Sequence, residues 1–200
     1  AATTTAYANL LAEGVPQPKI RLTGNPIVSA LARYSDAVPT RPEPLLLMTM
    51  HRREWLRDAD LLSFLDALGE ACAEHPLIDV LWPVHPAVAP ALQRVPWQKP
   101  ANLWLDIPLA YCDMVNLLSR ATGVLTDSGG LVEEAATLGV PCAIMRRWND
   151  RPEAVEEGVA RTFPPTPAGL RAAIATLCQG ALPCRPTTIY GPPDAAATIA

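Results

Sequence analysis

The chain has 200 residues, with 16 basic and 20 acidic side chains and a formal net charge of −4 at pH 7. Half of the residues are hydrophobic, enough for a substantial core, which excludes a disordered chain. No basic block occurs and no apolar run approaches the ~20 residues of a membrane helix, so neither nucleic acid nor a membrane is an expected partner.

The five cysteines, Cys72, Cys112, Cys142, Cys178 and Cys184, are odd in number and form no CxxC pair. Four fall in apolar helix or strand contexts, where a free thiol is a small core residue. Neither a zinc site nor a disulfide framework is expected. No signal peptide opens the chain, and a reducing cytoplasm is the expected compartment. The 22 prolines gather at Val15–Pro18, Pro39–Pro44, Phe163–Pro167 and Leu182–Pro193, where they punctuate elements.

In chain order, Thr3–Glu13 reads as a helix stopped by Gly14, and Ile20–Leu22 as a short strand. Asn25 can cap a helix that has Pro26 in its first position and Ile27, Leu31 and Tyr34 on one face. Ser35–Pro44 reads as a linker. A regular alternation follows. Strands are expected at Leu45–Met50, Ile78–Val84, Leu103–Ile107, Gly123–Thr126, Pro141–Met145 and Val159–Phe163. Helices are expected at Ala59–Glu74, Ala87–Val95, Tyr111–Arg120, Leu131–Leu138 and Pro167–Gln179. Trp82 and Trp104 fall in strands and are expected in the core, whereas Trp148 falls in a loop. Near-continuous apolar strands between amphipathic helices mean an α/β fold, a Rossmann-like doubly wound parallel sheet covered on both faces.

Ligands of such sheets bind beyond the carboxyl ends of the strands. Those positions hold His51-Arg52-Arg53-Glu54, His85-Pro86, Pro108-Leu109, Ser128-Gly129-Gly130 and Arg146 to Glu153. Two histidines and several arginines thus form a polar, cationic rim suited to a phosphorylated ligand. The chain is organised around Leu125–Ala135, a strand-to-helix turn in which Ser128, Gly129 and Gly130 let a ligand approach bare backbone. The first helical N–H groups lack internal partners, and the helix dipole adds positive character, so the turn is an anion site. Glu133 and Glu134 admit two readings. They compensate the dipole, with Ser128 or Asp127 as cap, or one of them accepts hydrogen bonds from ribose hydroxyls.

These residues resemble the non-hydrolysing UDP-N-acetylglucosamine 2-epimerases. The matching pieces are Thr23-Gly24-Asn25, Met50-His51-Arg52-Arg53-Glu54, Pro83-Val84-His85, Pro108-Leu109 with Tyr111, Leu125–Ala135 running on to Gly139 and Pro141, Met145-Arg146, Arg151-Pro152-Glu153-Ala154 and Tyr190-Gly191. The resemblance implies one half of a glycosyltransferase-B-like two-domain fold. Residues 1–40 would end the amino-terminal domain and its linker, 41–185 would form the UDP-binding domain, and 186–200 would return toward the absent amino-terminal domain. Ala1 would then be an edge left by truncation, proteolysis or a split gene.

The resemblance further implies that Ser128, Gly129 and Gly130 cradle the diphosphate. Glu134 would bind the ribose, Arg151 would lie near the phosphates, and backbone at Ile107 and Pro108 would meet the uracil. His51 matches a catalytic histidine. Arg52, Arg53, His85 and Arg146 are rim candidates, and Glu133 is a structural partner. The implied partners are UDP and a UDP-N-acetylhexosamine, with no cofactor and no metal, and a homodimer when full length. The implied reaction inverts C2 of the sugar by eliminating UDP and adding it back, in cell-envelope polysaccharide biosynthesis. The carboxylates that move the C2 proton belong to the amino-terminal domain, so this chain alone is expected to be inactive. Two positions depart from the family: Pro192-Pro193 follows Tyr190-Gly191, which puts docking of the final segment in doubt, and Ala110 replaces an acid. A stand-alone nucleotide-binding module and a related sugar transferase are the alternative functions.

Overall fold

The computed structural model describes residues 1–34, 43–52 and 57–200. Residues 35–42 of the expected linker, and Arg53 and Glu54 of the first strand-end motif, lie outside the described residues.

Six parallel strands form the sheet: β1 (Glu43–Thr49), β2 (Asp79–Pro83), β3 (Leu103–Asp106), β4 (Ala121–Thr126), β5 (Cys142–Met145) and β6 (Ala160–Phe163). Their spatial order is β3-β2-β1-β4-β5-β6. The chain therefore winds outward from β1 to β3, returns beside β1 as β4, and winds out the other way. The reversal lies between β1 and β4, where Leu47 pairs with Val124 and Thr49 with Thr126. A sheet of this kind opens a crevice at that point, because the loops leaving the two central strands diverge to opposite faces.

Residues alternate between the two faces, and both faces are apolar. Leu46, Met48, Leu125, Ala143 and Met145 pack against α3 (Asp58–Glu74), α4 (Ala89–Arg94) and α8 (Pro167–Cys178). Leu47, Val124, Cys142 and Ile144 pack against α2 (Pro26–Tyr34), α5 (Tyr111–Arg120) and α6 (Gly129–Leu138). This double burial is why the strands read as continuous apolar runs.

Three helices lie outside this frame: α1 (Thr4–Ala12), α7 (Glu153–Glu156) and α9 (Ala195–Ile199). The last two lie in stretches read only as loop and return segment. The strand expected at Ile20–Leu22 does not form. A single 3₁₀ turn, Gln17–Lys19, precedes it, and a three-residue stretch with no neighbouring strand among the described residues cannot pair. The linker reading ends early, since Glu43 and Pro44 already belong to β1. Trp104 is not core, being 55% exposed, because β3 is an edge strand with an uncovered outer surface. Its indole Nε1 donates to Asp79 at 3.0 Å instead. Cys112, read as a core thiol, is exposed.

The final segment docks despite its two prolines. Before them, Tyr190 is buried and its carbonyl accepts from the Asn25 N–H at 2.7 Å. After them, Ala195 is buried and the Ala196 N–H donates to Ser29 Oγ at 3.0 Å. The docking bonds fall on either side of Pro192-Pro193, so the missing proline donors are not needed. Gly24 and Gly191 make the approach possible: a Cβ on Gly191 would stand 2.5 Å from Gly24 Cα.

Gly139 closes α6 in the left-handed region, with φ of 79°. A Cβ there would stand 2.5 Å from the Pro186 nitrogen, so both its conformation and its space require glycine. Gly139→Ala is expected to destabilise the fold by roughly 3 kcal/mol, from left-handed strain plus overpacking. Urea unfolding measures this, and a loss below about 1 kcal/mol would contradict the assignment.

Candidate functional site

The site is assembled at the reversal point by one carboxylate. Thr49 and Thr126 end β1 and β4, and their hydroxyls meet at 2.7 Å. The Asp127 N–H donates to the Thr49 carbonyl at 3.2 Å, extending the ladder by one rung. This carries the Asp127 side chain, 0% exposed, beneath the loop that leaves β1. There its Oδ2 accepts from the backbone N–H groups of His51 and Arg52, both at 2.9 Å. Its Oδ1 stands 2.8 Å from His51 Nδ1, without the alignment of a hydrogen bond. Arg52 Nε donates back to the Asp127 carbonyl at 3.3 Å. With Nδ1 held against a carboxylate, Nε2 is the ring nitrogen left for a ligand.

Beside this lock α6 begins. Ser128 is extended, with φ of −89° and ψ of 125°, and its N–H donates to Thr126 Oγ1 at 2.9 Å. No side chain caps the helix, so neither Ser128 nor Asp127 plays that expected part. The N–H groups of Gly129 and Gly130 keep no acceptor among the described residues. A helix N-terminus with free donors and a positive dipole end favours an anion.

The two glutamates separate. Glu133 accepts from Asn25 Nδ2 at 2.9 Å and stands 2.7 Å from Arg151 Nε. Burial pushes its pKa up despite Arg151 and Asn25, which pull it down. Glu134 turns toward α5, where the Tyr111 phenol donates to it. Burial raises its pKa to about 6; the Tyr111 hydrogen bond opposes the rise and the neighbouring Glu133 charge adds to it. The same burial and the facing carboxylate push the Tyr111 hydroxyl upward.

These groups open on a cleft of about 310 Å³. His51 and His85 line it with ring centroids 5.5 Å apart, as do Ser128, Gly130 and Glu134. Pro108, Leu109 and Tyr111 also line it, Tyr111 beside Glu134. His85 is oriented by the Ala87 N–H, which donates to its Nδ1 at 3.1 Å.

Other candidates fall outside the cleft wall. Ile107 is largely exposed and its N–H is taken by the Asp106 carboxylate at 2.8 Å. Arg151 lies over Gly129, where an added Cβ would be 3.1 Å from its guanidinium carbon, and it is engaged by Glu133 and Asp150. Arg52 and Arg146 line a separate cavity. Arg53 lies outside the described residues. Sequence reading undervalued Asp127, which in a Thr-Asp-Ser-Gly-Gly string looks like a cap. Its partners lie more than 70 residues away in the chain, at His51 and Arg52.

The family model for UDP-N-acetylglucosamine 2-epimerase matches residues 1–200. The UDP-N-acetylglucosamine 2-epimerase of Yersinia pestis is 35% identical over 176 residues, which are 79% of this chain and 46% of that protein. Among solved structures, the Methanocaldococcus jannaschii UDP-GlcNAc 2-epimerase in complex with UDP-GlcNAc and UDP superposes with a TM-score of 0.84 and 25% identity. It matches 100% of this chain and 58% of its own. The Neisseria meningitidis enzyme bound to UDP-GlcNAc gives a TM-score of 0.82 at 25% identity, covering 100% and 59%. The chain thus spans about half the length of the curated relatives it matches. It belongs to the UDP-N-acetylglucosamine 2-epimerase family, with one Rossmann-like half of that family's glycosyltransferase-B-like fold.

Removing the lock should be costly. Asp127→Ala leaves two backbone donors without their acceptor at a buried position and is expected to destabilise by about 2–5 kcal/mol. Asp127→Asn should recover part of this, because its amide oxygen still accepts. Chemical unfolding of the pair checks it, and equal losses in both variants would deny the acceptor role.

Proposed function

We propose that this chain is the UDP-binding half of a UDP-N-acetylglucosamine 2-epimerase, residues 41–185 forming the binding domain. One observation carries the reading. Free N–H groups of a helix N-terminus, a buried carboxylate and a histidine fixed by Asp127 converge on a single cleft at the reversal of the sheet. The relatives solved with UDP-GlcNAc share the fold over the whole chain.

In this reading the diphosphate lies on the Ser128-Gly129-Gly130 turn. The Gly129 and Gly130 donors face oxygens whose negative charge grows as UDP leaves, which lowers the barrier to departure. Arg151 adds positive potential from behind the turn while held by Glu133 and Asp150. Glu134 accepts from ribose hydroxyls, and the apolar end at Pro108 and Leu109 takes the uracil. His51 stands at the sugar end. Its Nε2 is placed to assist the leaving oxygen.

The reaction breaks the C1–O bond, its electron pair leaving with UDP. A base removes the proton from C2, and those electrons form the C1=C2 double bond. Protonation of C2 on the opposite face, with UDP adding back at C1, completes the inversion. Deprotonation on one face and protonation on the other need two groups on opposite sides of the ring. Among the described residues Glu134 is the carboxylate of the cleft wall, and in this reading it is engaged by the ribose. The 200-residue chain is therefore expected to show no conversion of UDP-N-acetylglucosamine, followed by NMR of the sugar anomeric and C2 protons. Conversion by this chain would show that it carries both proton-transfer groups.

Binding should survive without turnover. Calorimetry with UDP is expected to give micromolar to millimolar affinity, weakened roughly ten- to a hundredfold by Glu134→Ala, the loss of a charged hydrogen-bond acceptor. The carboxylate form accepts the ribose hydroxyls, so affinity should fall as pH drops through about 6, where Glu134 becomes protonated. The ligand's own phosphate also titrates near pH 6. Glu134→Gln keeps that contribution and should remove the rest of the pH step. An unchanged pH profile in Glu134→Gln would take Glu134 out of the ribose site.

A further inference from the structure

A second cavity, of about 320 Å³, opens on the same rim at the carboxyl ends of β1 and β5. Arg52, Arg146, Arg147 and Trp148 line it. It adjoins the sugar end of the cleft through covalent neighbours, since Arg52 follows His51 and one oxygen of Asp127 holds both backbones. His51 serves the first cavity and Arg52 the second.

Among the described residues, the charge in this pocket is not balanced from within. Arg146 is 6% exposed. Its Nη1 pairs with Asp150, but its buried Nε has no hydrogen-bond partner among the described residues. Arg52 commits its Nε to the Asp127 carbonyl. Arg147 is exposed and has no carboxylate partner among the described residues. Asp150, the acid on this loop, is itself exposed and is shared with Arg151. A buried guanidinium with an unmet donor is costly, and an anion that satisfies it recovers that cost. Guanidinium groups pair best with planar oxyanions, which they grip through two parallel N–H bonds.

The diphosphate does not need this pocket, because the α6 turn already supplies its donors. A neutral N-acetylhexosamine brings hydroxyls and an amide but no charge to match. Resting on the UDP reading above, we infer that the pocket is a carboxylate subsite and that the sugar is an acidic one, an N-acetylhexosaminuronate. Its carboxylate lies among Arg52, Arg146 and Arg147, with Trp148 on the rim as an apolar wall.

The test is calorimetry of the 200-residue chain with UDP, UDP-N-acetylglucosamine and UDP-N-acetylglucosaminuronic acid. The uronate is expected to bind about tenfold or more tightly than the neutral sugar nucleotide. Arg147→Gln, an exposed substitution that spares the buried Arg146, should remove most of that advantage and leave UDP affinity unchanged. Arg161→Gln, the same charge change at an exposed position of β6, should leave the advantage intact. Equal affinity for the two sugar nucleotides overturns the subsite. So does an Arg147→Gln variant that weakens UDP as much as the uronate, since the arginines would then grip the diphosphate. If UDP itself fails to bind, the UDP reading falls separately. The subsite then stands only if a uronate complex is still detected and Arg147→Gln abolishes it.

Discussion

The site depends on one buried carboxylate that holds two strand ends together. Asp127 is committed on every side: its N–H to the Thr49 carbonyl, its Oδ2 to two backbone donors, its Oδ1 against His51. An anion is costly to bury unless donors meet it, and here two backbone N–H groups meet Oδ2 while the His51 ring stands against Oδ1. The loop after β1 leaves the sheet beside β4 and has no ladder to join. Asp127 replaces that ladder. It lets an imidazole project from a loop with the precision of a strand residue, and it sets the ring nitrogen that faces outward. The threonine pair beneath, at 2.7 Å, keeps the ends of the two strands level so that the carboxylate arrives at the right height.

The sheet order makes this arrangement useful. Because β1 and β4 are neighbours with connections leaving to opposite faces, the space above them is open, whereas each flanking pair is roofed by its own crossover. The helix entering at that opening brings free N–H groups. The arginines of the neighbouring β5 loop bring charge. A chain with net charge −4 would repel an anion on average, yet its rim is locally basic. Local arrangement decides, because screening removes contributions beyond about 8–10 Å at physiological salt.

Much of this was legible in the sequence. Apolar runs of four to six residues between amphipathic stretches identify a doubly covered parallel sheet, and all six of its strands lie within a few residues of their expected places. What escaped was what depends on neighbours in space. Trp104 looks like a core residue because edge and interior strands share an alphabet; only the strand order exposes it. Ile20–Leu22 has strand composition but no partner. The Thr-Asp-Ser-Gly-Gly turn displays its glycines plainly, since bare backbone at a helix start has one evident use. The aspartate in it looks like a local cap, and nothing local shows that its acceptors serve a loop formed much earlier in the chain.

Glu133 and Glu134 show how adjacent identical residues acquire different work. A step of one residue turns a helix by about 100°, so consecutive side chains cannot share a face. Glu133 meets α2 and the Arg151 loop, and its oxygens are occupied by Asn25 and Arg151. Glu134 meets α5 and the cleft, where one phenol donates to it and, among the described residues, no cation stands against it. The first is a brace whose charge is cancelled. The second retains acceptor capacity and a proton affinity near neutral pH. The same accounting explains the arginines. Arg151 lies nearest the turn, yet two carboxylates already engage it, so for a phosphate it is a muted charge. Direct donation to an anion at the turn then falls to the helix N–H groups. The guanidiniums with unmatched donors lie one loop away, beside the residue that follows His51.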